Sequence, residues 1–232
     1  MIHGFSSAPI DLQALGQFLA KKNITVSAPL LKGHGTSIED FDTTGWKDWY
    51  NDAEKALLKL KKHCNKVYIT GISNSGNLCI LLAARHKVNG IILMGAPMFF
   101  TKEFLVKLGY YLYPIIVLFK RYQKKWYQKG IDPELKKNRM TYPKLSLKAS
   151  KEALVALNKA EKLLPKITAP ILIMQSNNDV QVREDSPQYI FNHVSSKSRE
   201  IFWVPESYHV FIVDKNKQIA FDKIYKFIQS HS

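Results

Sequence analysis

Short apolar runs alternate along this chain with longer stretches whose apolar residues recur at helical spacing. The short runs are rich in β-branched residues, and they predict strands at 24–30, 66–70, 89–94, 169–175 and 199–204. The longer stretches predict helices at 9–22, 43–63, 78–86, 186–194 and 215–229. Because elements that alternate in this way form a parallel sheet with helices on both faces, the sequence predicts an α/β fold that binds ligands at the carboxyl ends of its strands.

The alternation stops between residues 98 and 165. This segment is basic and aromatic, and its mainly apolar run at 104–119 and amphipathic run at 150–164 predict helices. An insertion between two core strands that lies above their carboxyl ends forms a lid. The sequence therefore predicts an α/β core made of residues 1–97 and 166–232, and a helical lid at 98–165, hereafter the cap segment.

The segment at 71–76, Gly-Ile-Ser-Asn-Ser-Gly, lies between a predicted strand and a predicted helix. Small residues on both sides of a serine let strand and helix approach closely at such a corner, while the serine takes a strained, exposed position. This pattern is typical of a nucleophile elbow and predicts Ser73 as a nucleophile. The alternative is a Ser/Gly turn that only caps the helix, since Ser and Asn are favoured at helix starts.

An acid and a base, Asp179 and His209, each follow a late predicted strand. A serine hydroxyl needs a base to remove its proton, and an imidazole base needs an acid that fixes its tautomer. Loops after parallel strands converge at one edge of the sheet, so Ser73, Asp179 and His209 are predicted to be catalytic. Asp185 is the rival acid, but it lies one turn into the following helix. Five other histidines are predicted to be structural or surface residues: His34, His63, His86, His193 and His231.

The chain opens on two apolar residues followed by His3-Gly4-Phe5. In a serine hydrolase, the third residue of such a loop and the residue after the nucleophile can point their backbone N–H groups at the developing oxyanion. These donors would be Phe5 and Asn74, with His3 as a structural hydrogen-bonding residue. The alternative is a frayed terminus without a catalytic role.

Six short motifs together point to one family. They are His3-Gly4-Phe5, Lys32-Gly33-His34-Gly35, the corner at Ser73, Gly95-Ala96-Pro97-Met98, the loop at Asp179, and Ser207-Tyr208-His209-Val210. With them, nearly the whole chain resembles the α/β-hydrolase superfamily, and within it the small bacterial carboxylesterases and monoacylglycerol lipases. The resemblance implies Ser73 as nucleophile, Asp179 as orienting acid, His209 as base, Phe5 and Asn74 as oxyanion donors, and no cofactor or metal.

The chain departs from the pattern of this family at three places. Ser75 stands where glycine is usual, which adds a side chain at the strand-helix crossing that a small residue should fit. Tyr208 replaces the glycine that commonly precedes the histidine, so narrower access beside His209 is expected. The family also has at least one strand before the His-Gly-Phe loop, so a missing first strand is expected ahead of His3.

The charge of the chain is concentrated in one region. Of the formal net charge of +15, nine units fall between residues 101 and 150, where twelve Lys and Arg face three acids. Combined with aromatic residues, this surplus predicts peripheral contact of the cap segment with an anionic membrane; a solvated lid face is the alternative. A nucleic-acid partner is the weaker interpretation, because no known binding motif accompanies the charge.

Length and cysteine content limit the remaining possibilities. A chain of 232 residues with 46% hydrophobic residues can bury a sizeable core. Its two cysteines, Cys64 and Cys79, have no disulfide-framework spacing, and no signal peptide opens the chain, which predicts the cytoplasm. No uncharged apolar stretch reaches the ~20 residues that span a bilayer.

The sequence thus predicts a serine carboxylester hydrolase that acts on a small-molecule or lipid ester through an acyl-enzyme. Two alternatives remain, because the elbow chemistry does not specify the acyl acceptor and the fold does not guarantee catalysis. One is an acyltransferase or thioesterase on the same fold. The other is a non-catalytic protein of this fold that binds lipid or nucleic acid. The sequence leaves the oligomeric state open.

Overall fold

A computed structural model describes residues 1–125 and 139–232. Its strands are β1 (Tyr68–Ile72), β2 (Gly90–Met94), β3 (Tyr122–Lys124), β4 (Lys144–Ser146), β5 (Ile171–Ser176) and β6 (Arg199–Val204). The order β1-β2-β5-β6 makes one parallel sheet, whereas β3 and β4 form a separate antiparallel pair. The predicted parallel sheet is therefore confirmed at four of its five strands.

The described residues contain eight α-helices. They are α1 (Gln13–Ala20), α2 (Ile38–Thr43), α3 (Trp46–Lys61), α4 (Asn74–Ala83), α5 (Glu103–Phe119), α6 (Leu147–Glu161), α7 (Ser186–His193) and α8 (Lys217–Ser230). Short 3₁₀ helices lie at Pro9–Leu12, Leu164–Lys166 and Phe211–Val213. Helix α2 was not predicted; Ser37 caps it by accepting the N–H of Asp40 at 3.1 Å.

Apolar cores cover both faces of the parallel sheet. In β2, Ile91 and Leu93 pack in the core formed with α3 and α4, whereas Ile92 and Met94 pack in the core formed with α1 and α8. A strand that is buried on both faces needs an unbroken apolar run, since its successive side chains point to opposite faces. This requirement is why apolar runs along the sequence predicted β1, β2 and β5 correctly; the edge strand β6 is buried only at Val204.

The strand predicted at 24–30 is wrong. A strand needs a neighbouring ladder of backbone hydrogen bonds. Ile2 instead forms an isolated parallel bridge beside β1, with its N–H bonded to the oxygen of Thr70 at 2.7 Å and its oxygen bonded to the N–H of Ile72 at 3.2 Å. The amino group of Met1 donates to the oxygen of Ser27 at 2.7 Å. Two residues cannot supply a ladder for 24–30, and the absence of a first strand ahead of His3 stays a prediction.

The described part of the cap segment is not wholly helical, which corrects the prediction for this region. Helices α5 and α6 are present, but the antiparallel pair β3–β4 lies between them in the chain. Asp42 of α2 anchors this pair, because it accepts hydrogen bonds from Arg121 at 2.8 Å and from Ser146 at 2.5 Å. Several charged and aromatic residues of the cap segment, on which its predicted membrane contact partly rests, lie outside the described residues: Trp126, Tyr127, Lys129, Asp132, Glu134, Lys136 and Lys137.

Across residues 1–125 and 139–232, none of the helices combines the length and the apolar character that crossing a membrane requires. The apolar helix α5 contains Pro114 and begins with an ion pair between Glu103 and Lys107.

Candidate active site

Ser73 occupies the corner between β1 and α4. Its backbone is strained, with φ 54° and ψ −130°, in a region that residues with side chains rarely adopt. Two backbone hydrogen bonds hold it there: the Ser73 N–H donates to Met94 at 2.7 Å, and its oxygen accepts from Gly76 at 2.8 Å. The predicted strand-to-helix corner is therefore present, with the serine as its turning residue.

Two glycines make this corner possible. A Cβ at Gly71 would overlap the carbonyl group of Ser75, and a Cβ at Gly76 would lie 2.5 Å from the Cβ of Ala96. Positions 71 and 76 therefore exclude any residue larger than glycine, because the backbone of Ser75 and the short side chain of Ala96 cannot move aside. The elbow and the Gly95-Ala96 motif after β2 therefore pack directly against each other, where α4 meets the end of β2.

Ser75, the residue that departs from the family pattern, is buried and links the elbow to the N-terminal loop. Its hydroxyl donates to the carbonyl oxygen of His3 at 2.5 Å. His3 is itself fully buried, and burial lowers the pKa of its imidazole to about 4 despite a hydrogen bond to Gly4. Its Nε2 accepts the N–H of Leu31 at 3.1 Å, so Nδ1 carries the proton and donates to the Gly4 oxygen at 3.1 Å.

Asp179 and His209 form a buried pair at the carboxyl ends of β5 and β6. His209 Nδ1 donates to Asp179 Oδ2 at 2.6 Å, and both side chains are at least nine-tenths buried. Gln175 donates to the same oxygen at 3.0 Å, while the N–H groups of Gln181 and Val182 donate to Oδ1 at 2.8 and 3.0 Å. Burial alone would raise the pKa of Asp179, but His209 and the two N–H groups outweigh it and hold that pKa below its usual value.

The rival acid and the other described histidines do not contact the Asp179–His209 pair. Asp185 lies at the N-cap of α7, which corrects its predicted position one turn into that helix; its side chain is nearly half exposed and pairs with Arg183. His34 is buried in an aromatic cluster beside His3, where burial lowers the pKa of its imidazole to about 3. The partners of His86, His193 and His231 are Glu54, Tyr189 and Ser198, respectively.

Four of the five predicted site residues, Phe5, Ser73, Asn74 and His209, line one cavity of about 750 Å³, whereas Asp179 does not line it and contacts His209 from behind. The Nε2 atom of His209 is buried and has no hydrogen-bond partner among the described residues. An imidazole whose Nδ1 carries a proton toward a carboxylate presents Nε2 as a base. Tyr208 is not part of this lining, and the narrower access expected beside His209 stays a prediction.

Gly95 is a site residue whose role the sequence did not reveal. It has φ 62°, and a Cβ there would lie 3.2 and 3.3 Å from two atoms of the His209 ring. Only glycine meets both demands, so Gly95 leaves room for the imidazole. Its place at the end of a predicted strand, and in the Gly95-Ala96-Pro97-Met98 motif, marked the position in the sequence without revealing this role.

The cavity has apolar walls and a polar end. Helices α5 and α6 supply apolar and aromatic lining that includes Val106, Tyr110, Tyr113, Ile116 and Leu154. The polar end is lined by Ser6, Ser7, Asp11, Lys125, Arg139 and Thr141. In the described part of the chain, no group of three or more His, Cys, Asp or Glu side chains could hold a metal ion.

The chain matches a known protein family. Residues 1–216 match the family described as serine aminopeptidase, S33. The chain belongs to this family. Two curated relatives cover the whole length: a thermostable monoacylglycerol lipase of Bacillus sp. strain H-257, 28% identical over 100% of this chain and 90% of the relative, and a carboxylesterase of Bacillus subtilis strain 168, 26% identical over 99% and 91%.

Solved structures agree with this placement. A structure from the metagenome-derived lipolytic enzymes LipS and LipT has a TM-score of 0.87 and is 27% identical, covering 99% of this chain and 92% of that one. A monoacylglycerol lipase of Paleococcus ferrophilus, with a TM-score of 0.77 at 18% identity over 100% and 93%, shows the same fold. This S33 family member therefore has the α/β-hydrolase fold, and its relatives support an ester hydrolase of the carboxylesterase and monoacylglycerol lipase group.

Proposed function

We propose that the protein is a serine carboxylester hydrolase that works through an acyl-enzyme, with Ser73, His209 and Asp179 as its triad. The observation that carries the proposal is that an imidazole oriented by a buried carboxylate and a serine in a strained corner border one mainly apolar cavity. Ester hydrolysis needs these groups at one place.

In the proposed reaction, Ser73 Oγ attacks the ester carbonyl carbon while His209 Nε2 accepts the hydroxyl proton. The bond to the alcohol oxygen then breaks, and His209 returns the proton to that oxygen, so the alcohol leaves and an acyl-serine remains. A water molecule repeats the sequence: His209 takes its proton, the oxygen adds to the acyl carbon, and Ser73 leaves with that proton as the acid is released. Asp179 stays ionised and stabilises the imidazolium in both halves.

The negative charge that develops on the carbonyl oxygen needs donors that are already in place. The N–H groups of Phe5 and Asn74 are the proposed donors, since both residues line the cavity and Asn74 begins a helix whose N-terminus favours negative charge. The hydrogen bond from Ser75 to His3 supports this assignment, because it ties the two donor segments together.

The cavity favours an acyl chain as part of the substrate. Its volume lies within the roughly 300–1,000 Å³ that is typical of small-molecule sites, and aromatic and aliphatic side chains form most of its walls. Apolar walls stabilise a bound chain by about 0.8 kcal/mol for each buried methylene. Together with the lipase and esterase relatives, this supports a monoacyl ester as the substrate class.

A series of p-nitrophenyl esters from C2 to C16 tests the proposal. Wild-type protein should hydrolyse them, whereas Ser73→Ala, His209→Ala and the double variant should each lose nearly all activity, and the losses should not add because the residues act as one unit. Full activity in Ser73→Ala contradicts the mechanism. Preferred transfer of the acyl group to an added alcohol, or preferred cleavage of a matched thioester, assigns the same triad to an acyltransferase or a thioesterase. No turnover in wild type favours a non-catalytic binding protein.

We also propose that the cap segment docks on anionic lipid through α5. This helix has no buried residue, and large apolar side chains that do not line the cavity recur along it at spacings of three and four residues: Phe104, Leu108, Tyr111, Leu112, Ile115, Leu118 and Phe119. Exposed cations lie on and beside it: Lys102, Lys107, Lys120, Arg121 and Lys124. Apolar burial at the interface and attraction of about 1 kcal/mol for each cation near acidic lipid would act together.

Vesicle co-sedimentation tests this docking. Binding should rise with the fraction of anionic lipid, fall with salt, and drop when Phe104, Leu118 and Phe119 all become Ser. The matched control replaces Leu58 and Ile219, which are exposed on α3 and α8, with Ser. If both variants lose vesicle binding equally, or if the protein binds no vesicle, the cap segment only covers the cavity and does not dock on lipid. Retention by a single-stranded oligonucleotide alone assigns the basic surface to nucleic acid.

A further inference from the structure

The turn that carries Phe5 has a strained backbone. The N–H of Ser7 donates to the Gly4 oxygen at 3.1 Å and closes a turn over residues 4–7. Ser6, the third residue of this turn, has φ 57°, a conformation that glycine or asparagine usually supplies. Because a strained conformation persists only where the surrounding structure enforces it, contacts from outside the turn must hold it.

Residues of the cap segment contact Ser6 on its side chain and on its backbone. The Ser6 hydroxyl accepts a hydrogen bond from the Lys125 ammonium at 2.9 Å and lies 3.4 Å from the hydroxyl of Thr141. The carbonyl oxygen of Ser6 accepts the N–H of Tyr142 at 3.4 Å. The strained residue is therefore held by partners that lie more than 100 positions away in the chain, all of them in the cap segment.

Ser7, the last residue of the turn, is held through a buried ion pair. Its hydroxyl donates to Asp11 Oδ2 at 2.5 Å. Arg139 of the cap segment donates to both oxygens of Asp11 at 2.9 to 3.3 Å, and the two side chains are only 12% and 2% exposed. A guanidinium that engages a carboxylate in this way fixes its orientation as well as its charge. Arg139 thus determines where Asp11 presents its oxygen to Ser7.

The loop that contains this turn has a separate anchor on its other side. The hydrogen bond from Ser75 of the elbow ends on the carbonyl oxygen of His3. Ile2, which leads into the loop, pairs with β1 only through an isolated bridge, so sheet pairing stops before the turn begins. Phe5 therefore lies between two anchors: the elbow holds the loop at His3, and the cap segment holds it from Ser6 onward.

We propose that Arg139 is a positioning residue for ester hydrolysis: through Asp11 and Ser7 it holds the turn that aims the Phe5 N–H at the developing oxyanion. This inference rests on the proposed function and adds to it a residue of the cap segment that acts on the reacting atoms only through this turn. The cap segment then has a second task besides covering the cavity, because the oxyanion site is complete only when the cap is in place.

The kinetics of Arg139→Met test this role, because the substitution removes the guanidinium that fixes Asp11. With p-nitrophenyl butyrate, kcat should fall about tenfold, less than the roughly 10²–10³ lost when an oxyanion donor is removed outright, since the donor is displaced and not deleted. A trifluoromethyl ketone that adds to Ser73 places an oxyanion at the same position. Its inhibition constant should therefore rise by about the same factor, whereas KM should change less. Unchanged kcat and ketone inhibition in Arg139→Met overturn the proposal.

A double variant separates positioning from stability. Arg139→Met leaves the Asp11 carboxylate buried without its cation, so the melting temperature should fall, whereas Asp11→Leu/Arg139→Met removes both charges and should recover it. Ser7 still lacks its acceptor in the double variant, so kcat should stay low. Asp42→Leu is the matched control: Asp42 is also buried and pairs with a cap arginine, Arg121, but among the described residues it forms no hydrogen bond with the turn. Recovery of kcat together with stability, or an equal loss of kcat in Asp42→Leu, overturns the proposal.

Amide hydrogen exchange separates this inference from the proposed function, because it needs no turnover. The Ser7 N–H closes the turn, so its exchange should be about tenfold faster in Arg139→Met, or in the double variant if Arg139→Met does not fold, and unchanged in Asp42→Leu. Unchanged exchange in the Arg139 variants overturns the proposal and leaves ester hydrolysis standing. If wild type hydrolyses no ester, the proposed function fails, and the exchange rate alone decides whether Arg139 holds the turn.

Discussion

The hydroxyl of Ser75 donates a hydrogen bond of 2.5 Å to the carbonyl oxygen of His3, across 72 positions of the chain. One partner belongs to the first turn of α4, directly after the elbow; the other begins the loop that carries Phe5. The side chain that departs from the family pattern is thus accommodated at the crossing and also joins the two segments that carry the proposed oxyanion donors.

Replacement of Ser75 by Ala should lower kcat more than it changes KM. The variant leaves a buried carbonyl without this donor, which costs about 1–3 kcal/mol of stability. It also loosens the Phe5 loop, so kcat should fall about tenfold, less than the roughly 10²–10³ lost when an oxyanion donor is removed outright. Ser196→Ala is the matched control: Ser196 is equally buried and donates to the Ser198 oxygen at 2.8 Å, but it lies before β6, at the amino end of that strand. Equal kcat losses in the two variants would reduce Ser75 to a purely structural role.

Replacement of Gly95 by Ala should displace the His209 ring and reduce turnover. The new methyl group would press on the imidazole from 3.2 Å, and misplacement of a catalytic group by about 1 Å can lower the rate roughly 10²-fold. Gly35→Ala is the control, because Gly35 also has a positive φ, of 72°, but its nearest neighbour is the flexible end of Leu30. Steady-state kinetics and melting temperatures of both variants check this. A similar loss of stability in both, with turnover reduced only in Gly95→Ala, is the expected result.

The fold could be predicted where burial dictates the residue pattern. Strands β1, β2 and β5 are almost wholly buried and therefore carry apolar runs, whereas the edge strand β6 is buried only at Val204 and is apolar only from Ile201 onward. The same pattern at 24–30 gave a wrong strand, because an apolar run specifies burial but does not supply a pairing partner. The short strands β3 and β4 escaped prediction, since three residues with lysines at their ends carry no periodic signal.

The chemistry of the candidate site was predictable from the sequence, but the contacts that hold the site residues in place were not. Ser73, Asp179 and His209 follow strands that the sequence reveals, and parallel topology brings the ends of those strands together. The contact between Ser75 and His3, and the clearance that Gly95 gives His209, depend on distances between segments far apart in the chain. Charge counting predicted a basic surface, whereas the structure buries Lys125 at the cavity end, which no count along the sequence can show.

Replacement of Asp179 by Asn should lower kcat by about 10⁴, because the amide would select the wrong imidazole tautomer. The two carboxylate oxygens accept four hydrogen bonds, two from backbone N–H groups and two from His209 and Gln175. If the amide oxygen faces the backbone donors, its NH₂ group faces His209, which must then accept at Nδ1 and carry its proton on Nε2. Such a ring cannot take a proton from Ser73. Asp185→Asn, at the exposed rival acid, should leave kcat unchanged, and ester hydrolysis by the two variants checks both expectations.

Two buried histidines should make the fold acid-sensitive before its carboxylates titrate. His3 and His34 are at most 2% exposed, and burial lowers the pKa of their imidazoles to about 4 and about 3. In the unfolded chain both would titrate near ~6.5. Between these values the unfolded state binds protons that the native state excludes, so the stability that is fully present above ~6.5 is lost as the pH falls toward 4.

The free energy of unfolding should therefore drop by about 1.4 kcal/mol per pH unit for each of these two histidines near pH 5. Urea unfolding at pH 7.5, 6.5, 5.5 and 5.0 measures the slope. His34→Gln can keep a polar side chain at the site without a proton to gain, so its slope should be about half that of the wild type once the loss at pH 7.5 is subtracted. His63→Gln, at an exposed position just after α3, should retain the full slope. A stability that stays constant from pH 7.5 to 5.0 in the wild type would show that the buried imidazoles gain protons without unfolding.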